Sequence, residues 1–194
     1  MYQKRNKDLE IIALFTGDYK RRLYLRQIHN LAKLPLKTVQ NILAGLEKNS
    51  ILKSKVEGKN KYFSLNLDNI NTKSCLLQAE IHKTNIFLDK YSYFKHFLKD
   101  VTSNMPIIIF GSFAKFSADK NSDIDMLIIL EKEKEQKIPF HLLPNKVHKM
   151  NLSEDTFVKS LKSQEAIIKE IEENHIILNN HSFFVNVFWN QYDK

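Results

Sequence analysis

Cysteine is nearly absent from this chain. The single residue, Cys75, excludes an intramolecular disulfide framework and a cysteine-based zinc site. No obvious base lies beside it, so Cys75 reads as a small packed residue rather than a nucleophile. Long hydrophobic runs are missing too. None approaches the roughly 18 residues that a bilayer-spanning helix needs, and no membrane contact is expected. The first ten residues, MYQKRNKDLE, lack the apolar core of a signal peptide, and the expected location is cytoplasmic. There are no internal repeats. The one low-complexity stretch, EKEKEQK at residues 131–137, reads as a charged loop or helix end.

What is present is an uneven distribution of charge. The formal net charge is +8, yet residues 1–66 hold 14 Lys and Arg against 5 Asp and Glu, a local balance of +9. The remaining 128 residues balance at −1. A basic first third joined to a near-neutral remainder points to a nucleic-acid-binding module attached to something else.

Apolar spacing in that basic third predicts three short helices. Residues 8–19 place Leu9, Ile12, Ala13 and Phe15 on one face, ending near Gly17. Residues 23–33 turn Leu25, Ile28, Leu31 and Ala32 inward, and Leu34-Pro35-Leu36 makes a turn because proline disfavours a helical residue before it. Residues 37–49 bury Val39, Ile42, Leu43 and Leu46, leaving Lys37, Thr38, Gln40 and Asn41 outward near the N-terminal end. Two β-prone runs follow, residues 51–56 and 59–65, joined by a Glu57-Gly58 turn.

Three helices and then a basic hairpin, GKNKYFSLN at residues 58–66, resemble a winged helix-turn-helix domain like those of many archaeal proteins. The resemblance implies that the third helix enters the DNA major groove while the wing touches the backbone. By that analogy Lys37, Thr38, Gln40 and Asn41 are candidate base readers. Lys53, Lys55, Lys59 and Lys61 are candidate phosphate contacts. The plainer alternative is a protein-interaction module whose lysines are simply solvated. No aromatic stacking motif appears in this third, which disfavours a general RNA-binding role.

Residues 67–99 lack glycine and proline and carry Leu76, Leu77, Ile81, Phe87, Leu88, Tyr91, Phe94, Phe97 and Leu98. They read as one long helix, or two joined, linking the modules. Their aromatics read as core, with a self-association seam as the alternative. His29 reads as a packing or surface residue, and His82 and His96 are too far apart for a two-histidine metal pair on adjacent turns.

The most informative stretch is IIIFGSFAKFSADKNSDIDMLIIL, residues 107–130. Two short isoleucine-rich runs, 107–110 and 126–130, predict buried strands. Gly111 ends the first where the backbone turns tightly, and Ser112 can cap a short helix over residues 113–117. A Gly-Ser corner of this kind suits an anion such as phosphate. Asp123 and Asp125 stand two apart at a strand start, so both point to one face. Carboxylates that close repel each other unless a cation lies between them, and Mg²⁺ carrying phosphate oxygens is the expected guest. Ser122 is a turn residue or a supporting donor. The plainer alternative is a pair of aspartates capping a loop.

Gly111-Ser112-Phe113-Ala114, followed by Ser122-Asp123-Ile124-Asp125 and an apolar strand, resembles the signature of DNA polymerase β-type nucleotidyltransferases, nearest to the minimal ones of archaea and bacteria. The resemblance implies that Gly111 and Ser112 bind a triphosphate, with Lys115 and Ser122 beside it. It further implies that Asp123 and Asp125 hold Mg²⁺ with a nucleoside triphosphate, ATP being the expected one. Relatives include antitoxin partners of small helical toxins, so a protein partner or acceptor, or a homodimer, is conceivable by resemblance.

Two departures stand out. Such enzymes place a third carboxylate on the strand beside the aspartates, but here KVHKMN, residues 146–151, has none. His148 could act as a base, yet imidazole poorly replaces a hard oxygen ligand, and His148 reads as a surface or packing residue. Glu154 and Asp155 follow Ser153 and open a helix running to about residue 173, with Phe157, Leu161, Ile167, Ile168 and Ile171 inward. The second departure is at the Gly-Ser corner, where Lys115 and Phe116 stand in place of arginine and glycine, narrowing it. Residues 176–178 form a short apolar run, and residues 182–189 a final helix or strand.

The expected architecture is α+β. It comprises a winged helix-turn-helix at 1–66, a linker helix at 67–100, and a nucleotidyltransferase fold at 101–194, the last a small mixed sheet with helices. Two functions compete. One is transfer of a nucleoside monophosphate from Mg-NTP to an acceptor hydroxyl, coupled to DNA binding. The other is a DNA-binding transcription regulator whose second domain senses nucleotide or is inactive.

Overall fold

The computed structural model describes residues 6–130 and 138–192; the charged run at 131–137 lies outside them. The chain is mixed α+β and divides into two compact units, Met1–His82 with Phe188–Lys194, and Lys83–Val187. The division falls within a long helix.

The first unit begins with α1 (Lys7–Ala13), capped by the Asn6 side chain, which accepts from the Leu9 N–H. It is shorter than its apolar pattern predicts. The N–H groups of Leu14, Phe15 and Thr16 bond three residues back, tightening the chain out of the helix before Gly17. Leu23-Tyr24, expected to open a helix, instead forms a short strand, β1, and α2 starts at Leu25 and runs to Ala32. The cause lies some forty residues away. Leu23 and Tyr24 pair with Phe63 and Tyr62, and the two tyrosine rings meet edge to face at 5.7 Å. Leu31 faces solvent at 54% exposure, whereas Leu34 is buried, because Lys33 takes a left-handed conformation that turns the chain.

Helix α3 (Leu36–Lys48) follows directly on Pro35 and buries Val39, Leu43 and Leu46 as expected. Strands β2 (Leu52–Glu57) and β3 (Asn60–Leu65) pair antiparallel, and with β1 they form a sheet ordered β1-β3-β2. Glu57 sits opposite Asn60, so the turn residues are Gly58 and Lys59 rather than Glu57 and Gly58. Gly58 has φ +59°, matching a two-residue hairpin turn with glycine first. Helix α4 (Ile70–Lys90) begins in this unit, and the Thr72 hydroxyl donates to the Ile51 carbonyl. Ile81, expected to face inward, is 42% exposed.

In the second unit α4 continues to α5 (Tyr93–Asp100), and Phe87, Phe94 and Phe97 are fully buried. Burial identifies these aromatics as core. They pack with Ile107, Ile109, Ile124, Met126 and Ile128, alternate residues of β4 (Ile107–Phe110) and β5 (Ile124–Ile129). Each fully buried side chain of this size contributes about 1.5–3 kcal/mol. Helix α6 (Gly111–Ala114) is a single turn that starts two residues before the expected one.

Strand β6 (Val147–Leu152) runs parallel to β5, while β7 (Ile176–Asn179) pairs antiparallel with β4, giving the order β6-β5-β4-β7. The helix predicted from Ser153 to about residue 173 is two. Helix α7 (Glu154–Lys162) ends where Gln164 adopts φ +56° and its side-chain amide donates to the Leu161 carbonyl, and α8 (Ala166–Glu173) follows. Ile168 and Ile171 are buried, but Ile167 is 37% exposed because the break resets the helical phase. The last segment is a helix, α9 (His181–Tyr192). Burial pushes the Cys75 thiol up from its ordinary value, consistent with an inert packed residue.

Gly45 lies inside α3 with open space around its absent Cβ and no left-handed φ. Gly45→Ala is therefore expected to stabilise the protein by about 0.5–1 kcal/mol, the helix-interior cost of glycine relative to alanine. Thermal unfolding followed by circular dichroism checks this, and a midpoint unchanged or lowered would refute it.

Candidate active site

Strand periodicity positions the site. Ile124, Met126 and Ile128 of β5 point into the aromatic core, so Asp123 and Asp125 project from the opposite face. Asp125 sits between Phe110 of β4 and His148 of β6 in the sheet register. Because His148 is the in-register neighbour of Asp125 on a parallel strand, its ring shares that face. Its Nε2 lies 3.3 Å from Asp123 Oδ2, and its Nδ1 lies 3.6 Å from Asp125 Oδ1. One imidazole thus stands between the two carboxylates. The reading of His148 as a surface or packing residue is corrected here: it is half exposed, but it belongs to the aspartate cluster.

The corner after β4 is tight. Gly111 has φ +66°, and a Cβ there would collide with Asp125 Oδ2 and lie 3.3 Å from its Cγ. Glycine is needed at this position for two reasons, the backbone conformation and the approach of the carboxylate. Ser112 does not cap α6 through its side chain. Its carbonyl instead accepts from the Ser117 N–H at 3.0 Å, closing the turn. Ser122 serves the loop before the aspartates, its hydroxyl accepting from the Asp119 N–H at 2.9 Å and donating to Asp119 Oδ1. Asn145 donates to the Ser122 carbonyl at 2.9 Å, and the Ile124 N–H bonds the Lys146 carbonyl at 2.8 Å. These bonds hold Asp123 from both sides.

Lys115, at the end of α6, ion-pairs with Glu170 of α8 at 2.7 Å. Burial pushes the Asp125 carboxyl above the usual aspartate range, and the negative charges of Asp123 and Glu170 add to that shift while His148 opposes it. A partly buried carboxyl crowded by other acids favours a positive neighbour, and the His148 ring is the group that faces it.

The structure therefore brings together Gly111, Asp123 and Asp125, as the sequence suggested, with Ser112, Lys115 and Ser122 on adjoining segments. It adds His148, Glu170 and Asn145. Only the first of these had a signal in the sequence, as the residue two places into the expected third strand. Among the described residues no group of three or more His, Cys, Asp or Glu could hold a metal ion.

The residues proposed for DNA lie in the first unit. Lys37, Gln40 and Asn41 are exposed on α3, and Thr38 is half buried. Lys53 lies 3.8 Å from Asp68, Lys55 lies 3.3 Å from Glu57, and Lys61 lies 2.7 Å from Glu47. Lys59 is exposed at the hairpin tip. Hydrogen bonds from Lys61 and Ser54 hold the Glu47 carboxyl below its ordinary range.

Residues 94–183 match the family model described as Polymerase beta, Nucleotidyltransferase. The match spans the Gly111 corner, both aspartates, His148 and Glu170, and it supports a polymerase β-type domain there. No curated protein and no solved structure matches the chain.

Gly111→Ala is expected to force Asp125 aside and strain the corner, costing about 1–3 kcal/mol of stability. Thermal unfolding of the variant checks it, and a melting curve superimposing on the parent's would refute the close approach.

Proposed function

We propose that the second unit binds a nucleoside triphosphate with a divalent ion and transfers its nucleoside monophosphate to an acceptor hydroxyl. We further propose that the first unit is a winged helix-turn-helix module that holds DNA. The observation that carries the first part is the aspartate pair on one face of β5, set against the Gly111 corner at the end of β4.

Asp123 and Asp125 would hold the ion, with Mg²⁺ and ATP as the first candidates. A bound divalent ion supplies charge neutralisation on the phosphates and the leaving pyrophosphate. The chain's own residues set the stage for it. The loop bonds from Asn145 and Lys146 fix Asp123 relative to β6, limiting motion of the carboxylate. The Gly111 turn brings backbone close to Asp125. Lys115 is half exposed and exchanges Glu170 for a phosphate oxygen at little cost, because a surface ion pair is worth only about 0–1 kcal/mol.

DNA binding is supported by the charge balance of +9 over residues 1–66 and by exposed Lys37, Gln40 and Asn41 at the start of α3. It would place base readers on that helix and Lys53, Lys55, Lys59 and Lys61 against phosphates. A second reading, a regulator with a nucleotide-sensing or inactive second unit, is favoured by one feature: His148 stands in register beside Asp125 where a third carboxylate would belong.

Isothermal titration with a non-hydrolysable ATP analogue is expected to show binding that needs a divalent ion and is abolished by Asp123→Ala. Binding that ignores the ion, or no binding, would refute the site. Transfer of label from an α-labelled NTP then separates the two readings. The double substitution Asp123→Ala, Asp125→Ala abolishes transfer in an enzyme and leaves DNA affinity intact. For DNA, replacing the four hairpin lysines with alanine should reduce the slope of log K against log salt by about 0.9 for each lysine that meets a phosphate. An unchanged slope would remove the hairpin from the interface.

A further inference from the structure

A cavity of about 360 Å³ opens at the base of the β2–β3 hairpin, and every residue lining it belongs to the first unit. Its size falls within the roughly 300–1,000 Å³ usual for small-molecule pockets. Tyr19 and Leu65, 2% and 1% exposed, make its floor, while Lys20, Arg22 and Lys53 stand exposed around its mouth. Asp68 is the one carboxylate among the lining residues. Neither the aspartate cluster of the second unit nor the outward face of α3 contributes to it.

Local structure brings these cations together. The Asp18 carboxylate accepts from the Lys20 N–H at 2.9 Å, and the Asp18 carbonyl accepts from the Arg21 N–H at 3.0 Å, fixing a turn around Tyr19. Arg21 is drawn aside, its guanidinium donating to the Leu14 carbonyl at 2.9 Å. Its neighbours Lys20 and Arg22 both reach the cavity. Lys53 joins them from β2, where it pairs with Ser64 of β3, and both residues line the cavity. The present partners of the three cations are exchangeable. The Lys20 ammonium lies over the Tyr192 ring at 5.3 Å, Arg22 reaches Glu57 at 2.8 Å, and Lys53 comes only within 3.8 Å of Asp68. Ion pairs this exposed contribute little, so an anion in the cavity takes over their donors at low cost.

Three basic side chains over one concave floor suit a group with more charge and more acceptor oxygens than a carboxylate. A phosphate monoester carries nearly two negative charges and three outward oxygens, and the arginine fork matches it. The internal phosphates of a duplex carry one charge each on a convex backbone, which meets protruding lysines rather than a cavity. Beside the cations, the Tyr19 and Tyr192 rings, with centroids 5.5 Å apart, offer a wall for the body attached to the phosphate. We propose that this cavity binds the phosphate of a small phosphomonoester, with Lys20, Arg22 and Lys53 as donors and the two tyrosines against the rest of the ligand. The site stands apart from the nucleotide reading of the second unit and does not depend on it.

The test uses the full chain, labelled with ¹⁵N, in EDTA, so that the ion-dependent site proposed at Asp123 and Asp125 stays empty. Adenosine monophosphate and inorganic phosphate are titrated at constant ionic strength, with adenosine and chloride as controls. Wild type is expected to show saturable amide shifts over residues 19–22, at Lys53 and Ser64 and near Tyr192, with both phosphates and with neither control. Lys20→Ala should weaken adenosine monophosphate by about tenfold, the loss of one charge-assisted hydrogen bond, and Lys20→Arg should restore it. Lys53 is left unchanged because it is also placed against DNA phosphates. A 5′-phosphorylated trinucleotide that shifts the same amides more tightly than the mononucleotide would support the site and assign its phosphate to a strand end. A 5′-hydroxyl trinucleotide that does so equally well would overturn it, since internal phosphodiesters then suffice. Shifts reproduced by adenosine or chloride, shifts confined to residues outside the cavity, no shifts at all, or an affinity unchanged in Lys20→Ala would each overturn it too. The wild-type map locates the site without any variant, so a folding defect in a variant cannot rescue the proposal.

Discussion

Two like charges two residues apart on one strand face repel, and the second unit is arranged around that repulsion. Asp123 and Asp125 share a face because β5 must bury Ile124, Met126 and Ile128 on the other. The hydrophobic demand is the larger one, since three buried side chains outweigh the repulsion of two partly solvated carboxylates. The register of β6 then brings an imidazole between them, and the Gly111 turn lets Asp125 lean over the chain without a steric clash. Remove the apolar alternation and the carboxylates no longer converge. Without the glycine, Asp125 has nowhere to lie.

Much of this was legible in the sequence because it depends on local chemistry. Isoleucine-rich runs of four to six residues, a glycine at the end of one and a D-I-D at the start of the next, report strand, turn and face with no knowledge of the rest. The three helices and hairpin of the first unit were legible for the same reason. What escaped was set by pairing over distance. Leu23 and Tyr24 have helix-compatible spacing and become strand because Tyr62 and Phe63 lie opposite. His148 looked incidental because a single sequence does not report the register of a parallel strand twenty-three residues away. Glu170 sits on a helix whose phase is reset by the left-handed Gln164, a conformation no propensity scale assigns to glutamine. The same reset exposes Ile167.

If the second unit binds a triphosphate as proposed, the charge distribution explains why the aspartate cluster would take a cation with it. A triphosphate carries several negative charges, and a protein attracts it either with a broad positive field or with a bound ion. Residues 67–194 balance at −1, so no broad field is available from them. The local charges add little: Asp123, Asp125 and Glu170 are acids, Lys115 is already matched by Glu170, and the His148 ring lies between the aspartates. Burial and the neighbouring acids make Asp125 costly to ionise with nothing positive beside it. A divalent ion at the carboxylates, as proposed, would lower that cost and give the phosphates of the substrate their counter-charge. The excess of positive charge sits in residues 1–66, where a polyanion can be held by many weak contacts with no metal. Under the proposed function the two units would meet phosphate by different physics, one through many weak lysine contacts and the other through a few donors around a single ion.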